Sequence, residues 1–176
     1  SPFFPSSPHA PARGDQPSAD AVAATEGEGD TLTYFLSGTD ASSLSISSSG
    51  VITFDSAPDY ETKTSYSVTV EVNDGTNTTT QSLTITVTNV NDNDPVISSS
   101  ATFSAAENQT AVDTVSATDA DGDTLTYSLS GTDASSLSIS SSGVITFDSA
   151  PVYEPTTRYA ITVTVIYGVN TDTQSL

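Results

Sequence analysis

Hydrophobic and polar residues alternate along short stretches of this chain, as expected for β-strands that bury one face. The clearest stretches are 66–72, which reads YSVTVEV, and 83–87, which reads LTITV. Asn73-Asp74-Gly75 lies between them and predicts a tight hairpin turn. Because no segment of about ten residues shows a helical period, the pattern predicts an all-β fold.

An internal repeat predicts the domain organisation. Residues 36–58 read LSGTDASSLSISSSGVITFDSAP, and residues 129–151 are identical to them. The same offset continues to Leu83 in the first copy and Leu176 in the second. The chain is therefore predicted to form two tandem Greek-key β-sandwiches of Ig-like architecture, each with about 90 residues and six or seven short strands.

The predicted boundaries give a Pro-rich segment 1–17, a first repeat 18–94 and a second repeat 95–176, with a linker at 89–95. The prolines remove backbone donors, so segment 1–17 is predicted to be a degenerate first strand of repeat 1. Repeat 2 stops at Leu176, before the segment that gives repeat 1 its last strand. Repeat 2 is therefore predicted to be incomplete at its C-terminus and to lack most of that strand.

The charge balance excludes several classes of partner. Acidic residues outnumber basic residues by 22 to 3, which gives a formal net charge of −19. A phosphate backbone needs a basic face, so nucleic-acid binding is excluded, and the charge also argues against an anionic membrane surface. No apolar run approaches the roughly 20 residues of a spanning helix, so no membrane insertion is expected.

The composition gives little support for catalytic chemistry. The chain has no Cys, no Met and no Trp, and its single histidine, His9, lies among prolines. Disulfides and thiolate metal sites are therefore excluded, and a histidine-based nucleophilic set is not expected. We expect a protein that is not an enzyme.

Acidic and amide residues gather in four short segments that are predicted to be loops. They read NVNDNDP at 89–95, DADGD at 119–123, DYE at 59–61 and EN at 107–108. Calcium prefers six to eight oxygen ligands drawn from carboxylates, amide side chains and backbone carbonyls. Alternate acids in a loop can direct both carboxylates at one point, which favours a calcium site over plain turn formation.

Together these motifs resemble the cadherin repeat, in the Ser/Thr-rich form of bacterial surface proteins. The matching motifs are DYE at 59–61, NDNDP at 91–95, DAD at 119–121 and AEN at 106–108, in the order and spacing of the family. The resemblance covers about residues 18–176. It implies a cadherin-like fold and a Ca²⁺ cofactor at the junction between successive repeats.

The resemblance also assigns the calcium ligands. The junction ligands would be Asp59, Glu61, Val90, Asn91, Asp92, Asn93, Asp119, Asp121 and Asp123. Val90 and Asn93 would contribute backbone carbonyls. Outward half-sites at the two ends would be formed by Glu26, Glu28, Asp30, Asp74, Glu107 and Glu154. The acid that the family carries late in the second repeat falls at Tyr167, whereas repeat 1 keeps it as Asp74.

The resemblance implies an extracellular or cell-surface module, of bacterial origin, in which calcium stiffens repeats for adhesion or spacing. Its partners would be neighbouring repeats or other copies of the same chain. Two alternatives stay open from the sequence. The open edge of repeat 2 would let a donated strand assemble copies into an extracellular fibre, and the Ser/Thr-rich surface would allow polysaccharide binding.

Overall fold

The chain forms two compact units, Ser1–Val90 and Asn91–Leu176, called unit 1 and unit 2 below. The computed structural model describes residues 1–5, 12–13, 18–154 and 157–176. Apart from two short 3₁₀ turns, the regular elements in these ranges are β-strands, as predicted. Within the same ranges, no helix is long and apolar enough to cross a membrane. The prediction for segment 1–17 lies largely outside the described residues.

Unit 1 is built from two sheets. Its described strands are β1 Ala12–Arg13, β2 Ser18–Ala21, β3 Thr33–Ser37, β4 Leu44–Ile46, β5 Val51–Phe54, β6 Ser65–Asn73 and β7 Thr78–Thr88. One sheet has the order β1-β7-β6-β3 and the other the order β2-β5-β4. The β1–β7 pair is parallel, whereas β6 pairs antiparallel with both β3 and β7. A 3₁₀ turn at Ala41–Ser43 leads into β4.

The core of unit 1 lies between these two sheets. The predicted alternation is confirmed on β6, where Val68, Val70 and Val72 are 3%, 0% and 0% exposed. Burying an aliphatic side chain of this size stabilises the fold by about 1.5–3 kcal/mol. The buried cluster consists of Val22, Leu44, Ile52, Phe54, Val68, Val70, Val72, Leu83 and Ile85.

Unit 2 repeats this arrangement. Its described strands are β8 Val96–Ile97, β9 Ala111–Thr114, β10 Ala117–Thr118, β11 Thr126–Ser130, β12 Leu137–Ile139, β13 Val144–Phe147, β14 Thr162–Tyr167 and β15 Asn170–Ser175. The sheets have the orders β11-β14-β15 and β12-β13-β9, with a separate pair β10-β8. A 3₁₀ turn at Ala134–Ser136 precedes β12. The buried cluster consists of Val115, Leu137, Ile145, Phe147, Ile161, Val163 and Val165.

A glycine between β4 and β5 of unit 1, and another between β12 and β13 of unit 2, allow the chain to pass close to a neighbouring carbonyl. Gly50 has φ +81°, and a Cβ at this position would lie 2.4 Å from the carbonyl oxygen of Val22 and 3.2 Å from the Tyr34 ring. Gly143 has the same φ, and its Cβ would lie 2.3 Å from the carbonyl oxygen of Val115. Both the positive φ and the close approach require a residue without a side chain.

Candidate metal centre

Three aspartates of unit 2 meet in the loop between β10 and β11. The carboxylates of Asp119, Asp121 and Asp123 each offer a ligand atom, and these atoms lie within 4.8 Å of one another. Gly122 has φ +80° and its N–H donates to the carbonyl oxygen of Asp119 at 3.3 Å, which turns the chain back on itself. The sequence predicted this convergence from the alternate acids in the loop.

One carboxylate oxygen of this cluster is buried and lacks a partner. Asp119 Oδ2 has no hydrogen-bond partner among the described residues, although Asp119 Oδ1 accepts the N–H of Asp123 at 3.5 Å. A buried anionic oxygen without a partner costs free energy, and like charges at this distance repel one another. A hard divalent cation would satisfy the oxygen and offset the repulsion, so the donor set fits Ca²⁺.

The segment that begins unit 2 is hydrogen-bonded to these aspartates. The N–H of Asn93 donates to Asp121 Oδ2 at 3.0 Å, and the Asn91 side-chain amide donates to Asp123 Oδ2. Asn170, at the start of β15, donates to Asn91 Oδ1 and to the carbonyl oxygen of Asn93, both at 2.9 Å. The predicted ligands Asn91 and Asn93 are therefore next to the three aspartates.

Tyr167, at the end of β14, also faces this cluster. The negative charge of Asp123 and a hydrogen bond to Asp123 raise the pKa of the Tyr167 hydroxyl above its usual value of 10.0, and burial and the charge of Asp119 act in the same direction. The hydroxyl therefore stays protonated. Tyr167 corresponds to Asp74 of repeat 1, so unit 2 has a tyrosine where repeat 1 has an acid.

Four predicted junction ligands remain. Asp59 and Glu61 lie at a turn of unit 1, Val90 is the last residue of unit 1, and Asp92 lies near the start of unit 2. In unit 1, Asp59 closes a local turn, because its Oδ1 accepts the N–H groups of Glu61 and Thr62 at 3.0 and 3.2 Å. Hydrogen bonds from the Thr62 hydroxyl and N–H lower the pKa of Asp59, so its carboxylate stays ionised. Val90 is half-buried, and the exposed Asp92 accepts the Asn93 amide at 2.9 Å.

A second acidic cluster, in unit 1, contains three of the predicted outward residues. Glu26, Glu28 and Asp30 each offer a carboxylate oxygen within 4.8 Å of the others. The Ser1 ammonium lies 2.9 Å from Glu26 Oε1 and 3.5 Å from Asp74 Oδ2. Its hydrogen bond to Glu26 is the main cause that lowers the pKa of that carboxyl to about 2.

The other two outward residues, Glu107 and Glu154, belong to no such cluster. Within the described ranges, neither has its carboxylate grouped with two further potential ligand residues. Glu107 Oε2 accepts the N–H of Tyr153 at 3.2 Å, and Glu154 is exposed. The structure brings the two residues to the same part of unit 2 without forming a carboxylate triad there.

Asn170 is the contributor to this centre that sequence reasoning missed. The repeat aligns it with Asn77, which lies in the hairpin turn of unit 1 and donates to Asp74 Oδ2 at 3.3 Å. An asparagine at matching positions of the two hairpins is the signal that could have identified it. Asn170 positions Asn91 and Asn93 through hydrogen bonds between parts of unit 2 that are distant in the sequence.

The chain is similar to solved cadherin ectodomain structures. Mouse cadherin-23 EC22-24 matches with a TM-score of 0.80 and 27% identity, over 99% of this chain and 62% of that one. Human protocadherin-24 EC1-2 matches with a TM-score of 0.78 and 24% identity, over 99% and 92%. The protocadherin gammaB7 EC3-6 cis-dimer structure matches with a TM-score of 0.79 and 25% identity, over 99% and 48%.

Neither a protein-family model nor a curated protein sequence matches the chain. The structural matches and the all-β architecture together show that the chain has the cadherin-like β-sandwich fold. The resemblance read from the motifs at 59–61, 91–95, 106–108 and 119–121 is thus confirmed at the level of the fold.

Proposed function

We propose that this chain is a calcium-binding adhesion or spacer module of an extracellular or cell-surface protein, and that it has no catalytic activity. The observation that carries the calcium proposal is the buried, unpartnered Asp119 Oδ2 beside the carboxylates of Asp121 and Asp123. Such an arrangement is costly for a folded protein unless a cation neutralises it.

Two kinds of observation support the ligands of the proposed site. Asp119, Asp121 and Asp123 are supported by their geometry, and Asn91 and Asn93 by their hydrogen bonds to that cluster. The family motifs support the remaining ligands, which are Asp59, Glu61, Val90 and Asp92. The outward half-sites rest on the motifs too, with the cluster of Glu26, Glu28 and Asp30 as additional support for one of them.

The proposed role of calcium is mechanical. Bound Ca²⁺ would cancel the repulsion between the carboxylates and hold the 119–123 loop against the segment that begins with Asn91. Other residues of the chain orient the ligand oxygens. The Asn170 side-chain amide, for example, donates to Asn91 Oδ1 and to the carbonyl oxygen of Asn93. A segment held in this way cannot hinge freely, so calcium would stiffen the module.

The cadherin ectodomain structures support the extracellular adhesion or spacer assignment, and the protocadherin gammaB7 cis-dimer supports association with other repeats or copies. The Ser/Thr-rich composition, together with the absence of Cys, is the reason to propose a bacterial surface protein as the source. The single histidine and the lack of Cys support a non-catalytic role.

Thermal unfolding with calcium and with EGTA tests this proposal. Calcium should raise the melting temperature, because an ion that binds only the folded state adds about 2.7 kcal/mol when the free ion is roughly 100-fold above its Kd. Asp119→Asn should lose most of this rise. In EGTA the same variant should be as stable as the parent chain or more stable, since one crowded buried charge is removed.

Asp113→Asn is the matched control, because Asp113 lies exposed on β9 outside the cluster. This variant should keep the full calcium response. The proposal is wrong if EGTA leaves the melting temperature of the parent chain unchanged, or if Asp113→Asn and Asp119→Asn reduce the calcium response equally.

A further inference from the structure

Three alternate side chains of β15 hydrogen-bond to the backbone of residues 91–99, the segment with which unit 2 begins. The three pairs, at 2.9, 2.8 and 3.1 Å, are Asn170 with Asn93, Asp172 with Ile97, and Gln174 with Ser99. The two amide side chains donate to carbonyl oxygens, and the carboxylate accepts an N–H. Because alternate residues of a strand share one face, a single face of β15 holds the segment along most of its length.

The first residue of this segment, Asn91, has three side-chain partners. Its Oδ1 accepts the Asn170 amide at 2.9 Å, and its own amide donates to Asp123 Oδ2. The Tyr167 hydroxyl donates to the Asp123 carboxylate and is also hydrogen-bonded to the Asn91 side chain. All of these bonds join one protein group to another, so none of them requires a cation.

The segment carries negative charge towards a negatively charged loop. Asp92 and Asp94 are exposed on the segment, and the loop 119–123 contributes three further aspartates. Like charges at short range repel one another, which favours release of the segment from the loop. Tyr167 is a neutral donor where repeat 1 has the acid Asp74, so it adds a hydrogen bond without adding to the repulsion.

We propose that Tyr167 and Asn170 form a latch that keeps residues 91–93 on the loop 119–123 without any bound cation. Pro95 is fully buried, so the freedom that the latch removes is that of the few residues before it. The consequence for calcium rests on the proposed function. The ion would bind ligands that are already in place, and it would not have to supply the free energy of ordering them.

Hydrogen exchange of the Asn93 amide in EGTA, measured on the whole chain by NMR, tests the latch. This amide donates to Asp121 Oδ2 at 3.0 Å, so its exchange reports release of the segment from the loop. Asn170→Ala removes two hydrogen bonds and should accelerate the exchange at least about fivefold. Tyr167→Phe should accelerate it as well. The amides of β14, the central strand of its sheet, should keep their rates in both variants, because the latch acts locally.

Asn77→Ala is the matched control, because Asn77 has the position of Asn170 in the hairpin of unit 1. This variant should leave the exchange of Asn93 unchanged. The latch is overturned if the Asn93 amide of the parent chain exchanges in EGTA as fast as an unprotected amide, or if Asn170→Ala does not accelerate it. Equal acceleration at Asn93 and along β14 would also overturn it, since Asn170 would then support the stability of unit 2 as a whole.

Tyr167→Asp separates the latch from the calcium site. It introduces the residue that repeat 1 has at this position, removes the hydroxyl donor and adds a negative charge, so Asn93 should exchange fast in EGTA and slowly again in calcium. Exchange in EGTA as slow as in the parent chain would overturn the latch. If calcium changes the exchange in neither the parent chain nor this variant, the proposed calcium site is wrong, and the rates in EGTA still decide whether the latch exists.

Discussion

Gly50 and Gly143 lie where a neighbouring carbonyl leaves no room for a side chain. Both have φ +81°, in the left-handed region that costs a residue with a side chain about 1–2 kcal/mol. At Gly50 the carbonyl oxygen of Val22 adds a steric conflict at 2.4 Å, which backbone movement alone can relieve. Gly75 has a similar φ of +95° but open space around it.

Gly50→Ala should therefore destabilise unit 1 more than Gly75→Ala does. We expect a loss of about 1–2 kcal/mol for Gly75→Ala from backbone strain alone, and about 3 kcal/mol or more for Gly50→Ala. Urea unfolding of both variants measures the difference. Equal losses would show that the approach of Val22 to Gly50 contributes nothing to stability.

At the scale of elements, the same 3₁₀ turn is held differently in the two units. In unit 1 the N–H of Ser67 donates to Asp40 Oδ2 at 2.7 Å, and in unit 2 the N–H of Ala160 donates to Asp133 Oδ2 at 2.8 Å. Lys63 also hydrogen-bonds to Asp40. No cation among the described residues pairs with Asp133, so the ion pair distinguishes the two turns.

Asp40→Asn should cost unit 1 more stability than Asp133→Asn costs unit 2. The bonds from Lys63 and from the Ser67 N–H lower the pKa of Asp40 below its usual value of 3.8. Because the folded pKa is the lower one, the stabilisation is complete above about pH 3.8 and is lost as the pH falls through the folded value.

Urea unfolding of both variants at neutral pH and in acid measures these effects. The difference between Asp40→Asn and the parent chain should shrink below the usual pKa of an aspartate, since protonation then removes the same interaction. A difference that stays constant into strong acid would contradict the role given to the ion pair.

At the scale of the whole molecule, each unit has a hydrophobic core of its own. Among the described residues, unit 1 has nine buried residues in its cluster and unit 2 has seven. Each buried aliphatic side chain contributes about 1.5–3 kcal/mol of stabilisation. Unit 2 should therefore be the less stable half.

Calorimetry in EGTA should show two unfolding transitions, with unit 2 melting at the lower temperature. Gly143→Ala should lower only the first transition and Gly50→Ala only the second, because each glycine packs against residues of its own unit. A single transition that both variants shift equally would contradict this expectation.

Much of the fold and part of the site could be predicted from the sequence. The alternation at 66–72 is confirmed by the burial of Val68, Val70 and Val72 on β6, and the alternate acids at 119–123 do converge. Asn170 was missed because it contacts Asn91 and Asn93, which lie 79 and 77 residues away from it in the sequence. Such contacts depend on strand register, which has no local signature in the residues involved.

The sequence by itself determined the all-β class, the duplicated core and the positions of the acidic loops. Those properties follow from local patterns, because a period of two assigns each side chain to one face and an identical segment repeats the same assignment. The tertiary structure decided which carboxylate oxygen is buried without a partner, at Asp119, and which side-chain amide, that of Asn170, contacts Asn91 and Asn93. Burial and contacts between distant residues arise only when surfaces meet in three dimensions, and no local pattern contains them.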